Sequence, residues 1–157
     1  MSFTILFNGE KKEYQNPVQV LDVVGNDKSI VCVSINNRVR ELTYMVDKDA
    51  TIVPLTVKDR DAKTTYEASV RFIVAMAMYN IHPEVNIRFS YNVSRAIFMQ
   101  ILNPEVISNG HLVKELDEEI KRIIAADYPL VRKIVSKEEI KKIFSEEGNK
   151  STFFKVS

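Results

Sequence analysis

Residues 64–102, TTYEASVRFIVAMAMYNIHPEVNIRFSYNVSRAIFMQIL, decide how the rest of the chain is read. Val70, Ile73, Val74, Ala77, Met78 and Ile81 recur at the spacing of one helical face. Phe72, Ala75, Met76 and Tyr79 supply a second apolar face, so the pattern predicts a helix buried on two sides. Thr64 stands three residues before Glu67, the spacing of a capping box, which puts the helix start there. Pro83 stops it, having no N–H to donate and a ring that clashes with the preceding turn. Beyond Pro83 the period changes: Val85, Ile87, Phe89 and Tyr91 alternate with Asn86, Arg88 and Ser90, as in a half-buried strand. A polar turn over 92–95 leads to a partner strand, Ala96–Leu102. One core helix packed on an antiparallel pair is expected.

The chain has 157 residues, 45% apolar and 27% charged, which suits a globular protein with room for one domain or two small ones. A net charge of +1 leaves no electrostatic footprint for duplex DNA or an anionic membrane. No apolar run is long enough to cross a bilayer, and no signal-peptide core is present. A lone cysteine, Cys32, excludes an intrachain disulfide; within the apolar run Ile30–Val33 it reads as a buried structural thiol. These features agree with a cytoplasmic protein.

Upstream, Phe3–Phe7 reads as a strand, Asn8-Gly9 as a hairpin turn and Lys11–Gln15 as the returning strand. Val18–Val24 is either a short helix entered through Pro17 or a buried strand, and β-branching favours the strand. Ile30–Ser34 and Arg38–Leu42 are strands joined at Asn36-Asn37, and Thr51–Leu55, with Pro54, suits an edge or the end of a ladder. That order, hairpin, short helix, further strands, is the order of a β-grasp. The polar stretch Lys58–Lys63 is read as the domain boundary. Downstream, Leu112, Leu116, Ile120, Ile123 and Ile124 line a second helix. Leu130–Val135 is a short strand, and Ser136 with Glu139 caps a helix that Gly148 can end. Thr152–Val156 looks like the start of an unfinished strand. The fold class is α+β.

The first sixty residues resemble a TGS domain, the ubiquitin-like module at the front of threonyl-tRNA synthetases and stringent-response enzymes. Tyr66–Tyr79 with His82-Pro83, the hairpin ending Arg95-Ala96-Ile97-Phe98, and Leu116–Phe144 resemble the front half of the synthetase domain that follows it. The implied domains are 1–60, a TGS-like β-grasp on which the helical reading of Val18–Val24 also rests, and 64–157, a truncated second domain. The same pair of domains precedes the P-loop domain of uridine-kinase-like nucleoside kinases. Tyr66-Glu67-Ala68-Ser69-Val70-Arg71 and the turn Tyr91–Arg95 resemble that kinase family more closely. Ala96 departs from both, which usually carry glycine there.

In the synthetases this domain hydrolyses mischarged tRNA with a His-x-x-x-His pair and a later Cys/His motif. Here the resemblance puts Glu67 and Arg71 at the histidine places, an acid and a base at the spacing of a helix ion pair. No catalytic residue is therefore assigned. His82, His111 and Cys32 are too far apart in sequence for a metal-site spacing, and no phosphate-binding glycine loop is present. No cofactor is expected in this chain; ATP and magnesium belong only to an absent kinase domain. Arg88, Tyr91, Arg95 and Phe98 on one hairpin are the candidate ligand residues, for a small nucleotide or RNA, against the plainer reading of a half-exposed sheet face. The expected role is a non-catalytic regulatory module whose partner is its own downstream kinase domain. The alternative is a free-standing relative of the synthetase editing domain that acts on aminoacyl-tRNA.

Overall fold

The computed structural model describes residues 2–93, 96–107, 110–128 and 134–139, and it is a mixed α+β structure. It divides into two compact units, Met1–Arg71 and Phe72–Ser157, within a single helix.

In the first unit, β1 (Phe3–Phe7) and β2 (Glu10–Tyr14) form a hairpin. Asn8 and Gly9 hold φ of 50° and 83°, the left-handed pair that a tight two-residue turn needs. Next come β3 (Val18–Gln19), α1 (Val20–Val24), β4 (Ile30–Ile35), β5 (Arg38–Arg40), β6 (Met45–Val46) and β7 (Ala50–Thr56). Val18–Val24 thus divides into a two-residue strand and one helical turn. The helix is fixed from outside: Val20 and Leu21 donate backbone bonds to the Tyr44 and Leu42 carbonyls. The main sheet runs β2-β1-β7-β4-β5, with β1 and β7 parallel. Pro54 lies in a central strand, but β1 pairs only with Ala50–Ile52, so the proline sits past the end of that ladder. Phe3, Ile5, Val20, Val33, Ile35, Val46 and Ile52 form the core. Cys32 is buried; burial pushes its thiol pKa up, and a hydrogen bond with Thr65 opposes that only in part.

The capping box expected at Thr64–Glu67 is not the helix start. α2 runs Arg60–Ile81, beginning a turn earlier. Asp59 closes a turn by donating to the Thr56 carbonyl, while its carboxylate accepts from the Thr56 N–H and hydroxyl at 2.8 and 3.2 Å. The Asp59 carbonyl then accepts the first helical bond, from Lys63. Thr64 lies inside the helix, its hydroxyl bonded back to the Arg60 carbonyl. The stretch 58–63 is this turn plus the opening of α2.

In the second unit, α2 leads to β8 (Ile87–Val93), β9 (Ala96–Ile101), a short 3₁₀ turn and α3 (Leu112–Ala126). Met78, Val85 and Ile87 form the core, joined by Ala75, Phe89, Met99, Ile101, Leu112 and Leu116. The second face of α2 is only partly covered: Ala75 packs against the core, while Phe72 and Tyr79 stay exposed. Ile124 is also exposed; it lies about 100° around α3 from the buried Ile123. Asn103 latches the hairpin ends, accepting from the Asn86 N–H at 2.7 Å and donating to the Glu84 carbonyl at 2.9 Å. The Ser136–Glu139 capping box is formed in both directions. The predicted strand over Leu130–Val135 lies mostly outside the described residues, as do the helix beyond Glu139 and Thr152–Val156; the described Ile134 and Val135 are not in a strand.

Two side-chain clusters tie α3 to the end of α2. Glu119 accepts two bonds from Arg122, at 2.6 and 2.7 Å, and one from Asn80 at 2.7 Å. The Arg122 guanidinium, then the Asn80 amide, lower the Glu119 carboxyl to about 2. His82 sets Nε2 3.2 Å from Glu115 and Nδ1 3.2 Å from Glu84, and these carboxylates raise its pKa. Their pH signatures have opposite sign. Glu119 contributes stability above its ordinary 4.5, lost as pH falls toward 2; His82 contributes it below 6.5, lost as pH rises through its higher folded value. Thermal unfolding followed across pH should show both losses, and His82→Gln should remove the alkaline one alone. An unchanged alkaline slope would take His82 out of this account.

Candidate functional site

Glu67 and Arg71 stand one turn apart on α2, with Nη2 3.7 Å from Oε2 and side chains 24% and 29% exposed. That is an ion pair beyond hydrogen-bond length, half sheltered by the helix surface. The carboxylate faces a cation, and a guanidinium cannot accept a proton from water. Cys32 is buried, and that burial raises its thiol pKa, which disfavours the thiolate. His82 has both ring nitrogens facing carboxylates, and His111 sits at the start of α3 without a side-chain cap bond. Among the described residues no group of three or more His, Cys, Asp or Glu is placed to hold a metal ion. A shallow, open depression is lined by Thr4, Lys11 and Asn36; Asp49 accepts there from the Thr4 N–H, and Asn36 bonds the Asp49 and Thr51 backbone.

The β8–β9 hairpin brings together three of its four candidate residues; Arg95 lies outside the described residues. Strict alternation puts Tyr91 on the inner face with Ile87 and Phe89. The register differs: Phe89 pairs with Met99, but Asn92 pairs with Ile97. Ser90 and Tyr91 therefore oppose Phe98 alone, and this bulge turns Tyr91 to the outer face. There its ring stacks on Phe98, with centroids 5.4 Å apart and planes 12° from parallel. Tyr91 is 64% exposed and Phe98 44%. Arg88, on the same face, donates from Nη2 to Gln100 Oε1 at 3.0 Å. Arg88 and Gln100 are a directly opposed pair, so the guanidinium is held across the strands on the face that carries the rings. Residues 85–103 contain two arginines and no acid, so this stretch of sequence is cationic although the whole chain is nearly neutral. Sequence reasoning missed Gln100 and Asn103. The alternation around Gln100 was the available signal for the first; nothing local marks the second.

No protein-family model matches the chain. It is similar to the threonine–tRNA ligases of Symbiobacterium thermophilum (25% identity over 146 residues), Hahella chejuensis (26% over 153) and Syntrophomonas wolfei (27% over 146). These alignments cover 90%, 94% and 90% of this chain but only 22%, 24% and 23% of the relatives. The chain thus spans about a quarter of the length of the curated relatives it matches, through both units, and its similarity is to tRNA synthetases.

If Glu67 and Arg71 form only an ion pair, a double-mutant cycle with Glu67→Ala and Arg71→Ala should give a coupling of about 0.2–0.5 kcal/mol in urea unfolding. A coupling several times larger would mean that the pair is desolvated and built for more than helix stability.

Proposed function

We propose that this chain is a threonyl-tRNA-synthetase-related module that engages aminoacyl-tRNA by binding it rather than by hydrolysing it. The observation that carries this reading is the collinear similarity to threonine–tRNA ligases over 90–94% of the chain. It favours a synthetase-related role over a regulatory module for a nucleoside kinase. In this reading residues 1–60 are a TGS-like β-grasp and residues 64–157 the body that follows it. The sheet order β2-β1-β7-β4-β5, its parallel β1–β7 pair and the single turn of α1 support the first assignment.

The absence of hydrolysis follows from the Glu67–Arg71 ion pair at the places that the resemblance gives to imidazoles. Two neutral imidazoles can orient a water and take its proton, whereas this pair offers a carboxylate already engaged by a cation. ATP and magnesium have no part in the reading. No helix among the described residues is long and apolar enough to cross a membrane, and aminoacyl-tRNA as ligand would place the work in the cytoplasm.

Filter binding with threonyl-tRNA and with a mischarged tRNA tests this directly. A dissociation constant on the order of 1–100 μM is expected, because few phosphates can be neutralised. Deacylation should stay at the buffer rate. Absence of tRNA binding, or turnover that Glu67→Ala abolishes, would overturn the proposal.

A further inference from the structure

We infer that the outer face of the β8–β9 hairpin is a stacking site for an unpaired nucleobase of single-stranded RNA, Tyr91 and Phe98 forming the platform and Arg88 meeting the adjoining phosphate. This rests on the tRNA-directed reading and adds to it the place and the part of the RNA bound.

Three observations converge on one small surface. First, the bulge at Ser90-Tyr91 removes a tyrosine from the core face and sets it outside, against Phe98. The two rings lie nearly parallel in an offset stack, and both residues keep a large part of their surface in water. Every base has a π-face, so such a stack accepts any of the four, at a contact typically worth a factor of 5 to 150 in affinity. Second, Gln100 orients Arg88 on the same face by accepting one Nη2 hydrogen bond, which leaves the guanidinium its other donors. A planar cation on the face that carries an aromatic stack suits the alternation of phosphate and base along an unpaired strand. Third, residues 85–103 carry no carboxylate to repel a phosphate, although acids make up 21 of the 157 residues. Charge complementarity at the hairpin is therefore local, and the whole-chain charge of +1 does not reveal it.

A duplex does not fit this surface, because its bases are already stacked and the face is only two strands wide. The competing use of the aromatic pair is to stabilise the hairpin itself, since cross-strand aromatic pairs do so and two-stranded sheets need it. The experiment therefore reads binding and folding separately.

Amide NMR shifts of the full chain are followed while a single-stranded RNA tetranucleotide, a short RNA duplex or tRNA is added. The tetranucleotide is expected to move β8 and β9 resonances, the duplex to leave them unmoved. Tyr91→Ala should weaken tetranucleotide binding about 5- to 150-fold, and Tyr91→Trp, which keeps a stacking ring, should restore it. Arg88→Gln should weaken binding and flatten its salt dependence. Circular dichroism on each variant shows whether the fold is kept. If tRNA binds while the tetranucleotide leaves the hairpin unmoved, this inference falls and the tRNA-directed reading stands. If neither RNA binds, both fall. Equal binding by folded Tyr91→Ala, or hairpin shifts that follow protein concentration alone, as in pairing with a second copy, would also overturn the stacking site.

Discussion

Fitting two residues of β8 against one of β9 is the constraint on which the second unit's surface depends. The inner face of the hairpin is fixed by Ile87, Phe89, Met99 and Ile101, which pack against Met78 and Ala75 of α2. Without the bulge, Tyr91 would continue that inward row and Phe98 would face outward without a partner. One inserted residue reverses the phase of everything beyond it, because side chains on a strand alternate with period two. The aromatic stack, the Arg88–Gln100 pair and the core beneath them are therefore consequences of a single register.

Polar bonds with narrow geometry hold that register. Asn103 spans the entry and exit of the hairpin, satisfying the Asn86 N–H and the Glu84 carbonyl. An unmade bond at the half-buried Asn86 would cost about 1–3 kcal/mol, as much as several surface ion pairs contribute. On the opposite flank, Glu119 and Glu115 of α3 reach Asn80 and His82 at the end of α2. The end of α2 is thereby fixed where β8 begins.

Much of this was legible in the sequence. The apolar spacing of α2, the Asn8-Gly9 turn, the Ser136–Glu139 box and the burial of Cys32 all follow from local rules that nothing in the fold opposes. The misreadings share one cause: two local signals competed, and distance in sequence hid which would win. Thr64–Glu67 is a valid capping box, but Thr56 and Asp59 form a turn one step earlier, and the helix starts from that. Val18–Val24 was no misreading: the helix that the resemblance favoured is found over Val20–Val24, where backbone carbonyls at Leu42 and Tyr44 hold Val20 and Leu21 against strand propensity. Tyr91 alternates correctly with its neighbours, and only the partner strand shows the extra residue. The histidine-free Glu67–Arg71 turn was readable as an ion pair, and the geometry is one. The reach of Asn103 and Gln100 depends on pairing between strands, which no single stretch encodes.

The chain is similar to tRNA synthetases, and it carries an ion pair on α2 and a stacked aromatic pair on the β8–β9 hairpin. Everything specific in that picture hangs on the phase of β8. Nuclear Overhauser contacts from the Tyr91 ring are the most direct measure of it. The account predicts cross-peaks to the Phe98 ring and rapid exchange with solvent around Tyr91. Cross-peaks from Tyr91 to Met78 or Met99 instead would put the ring in the core and contradict it.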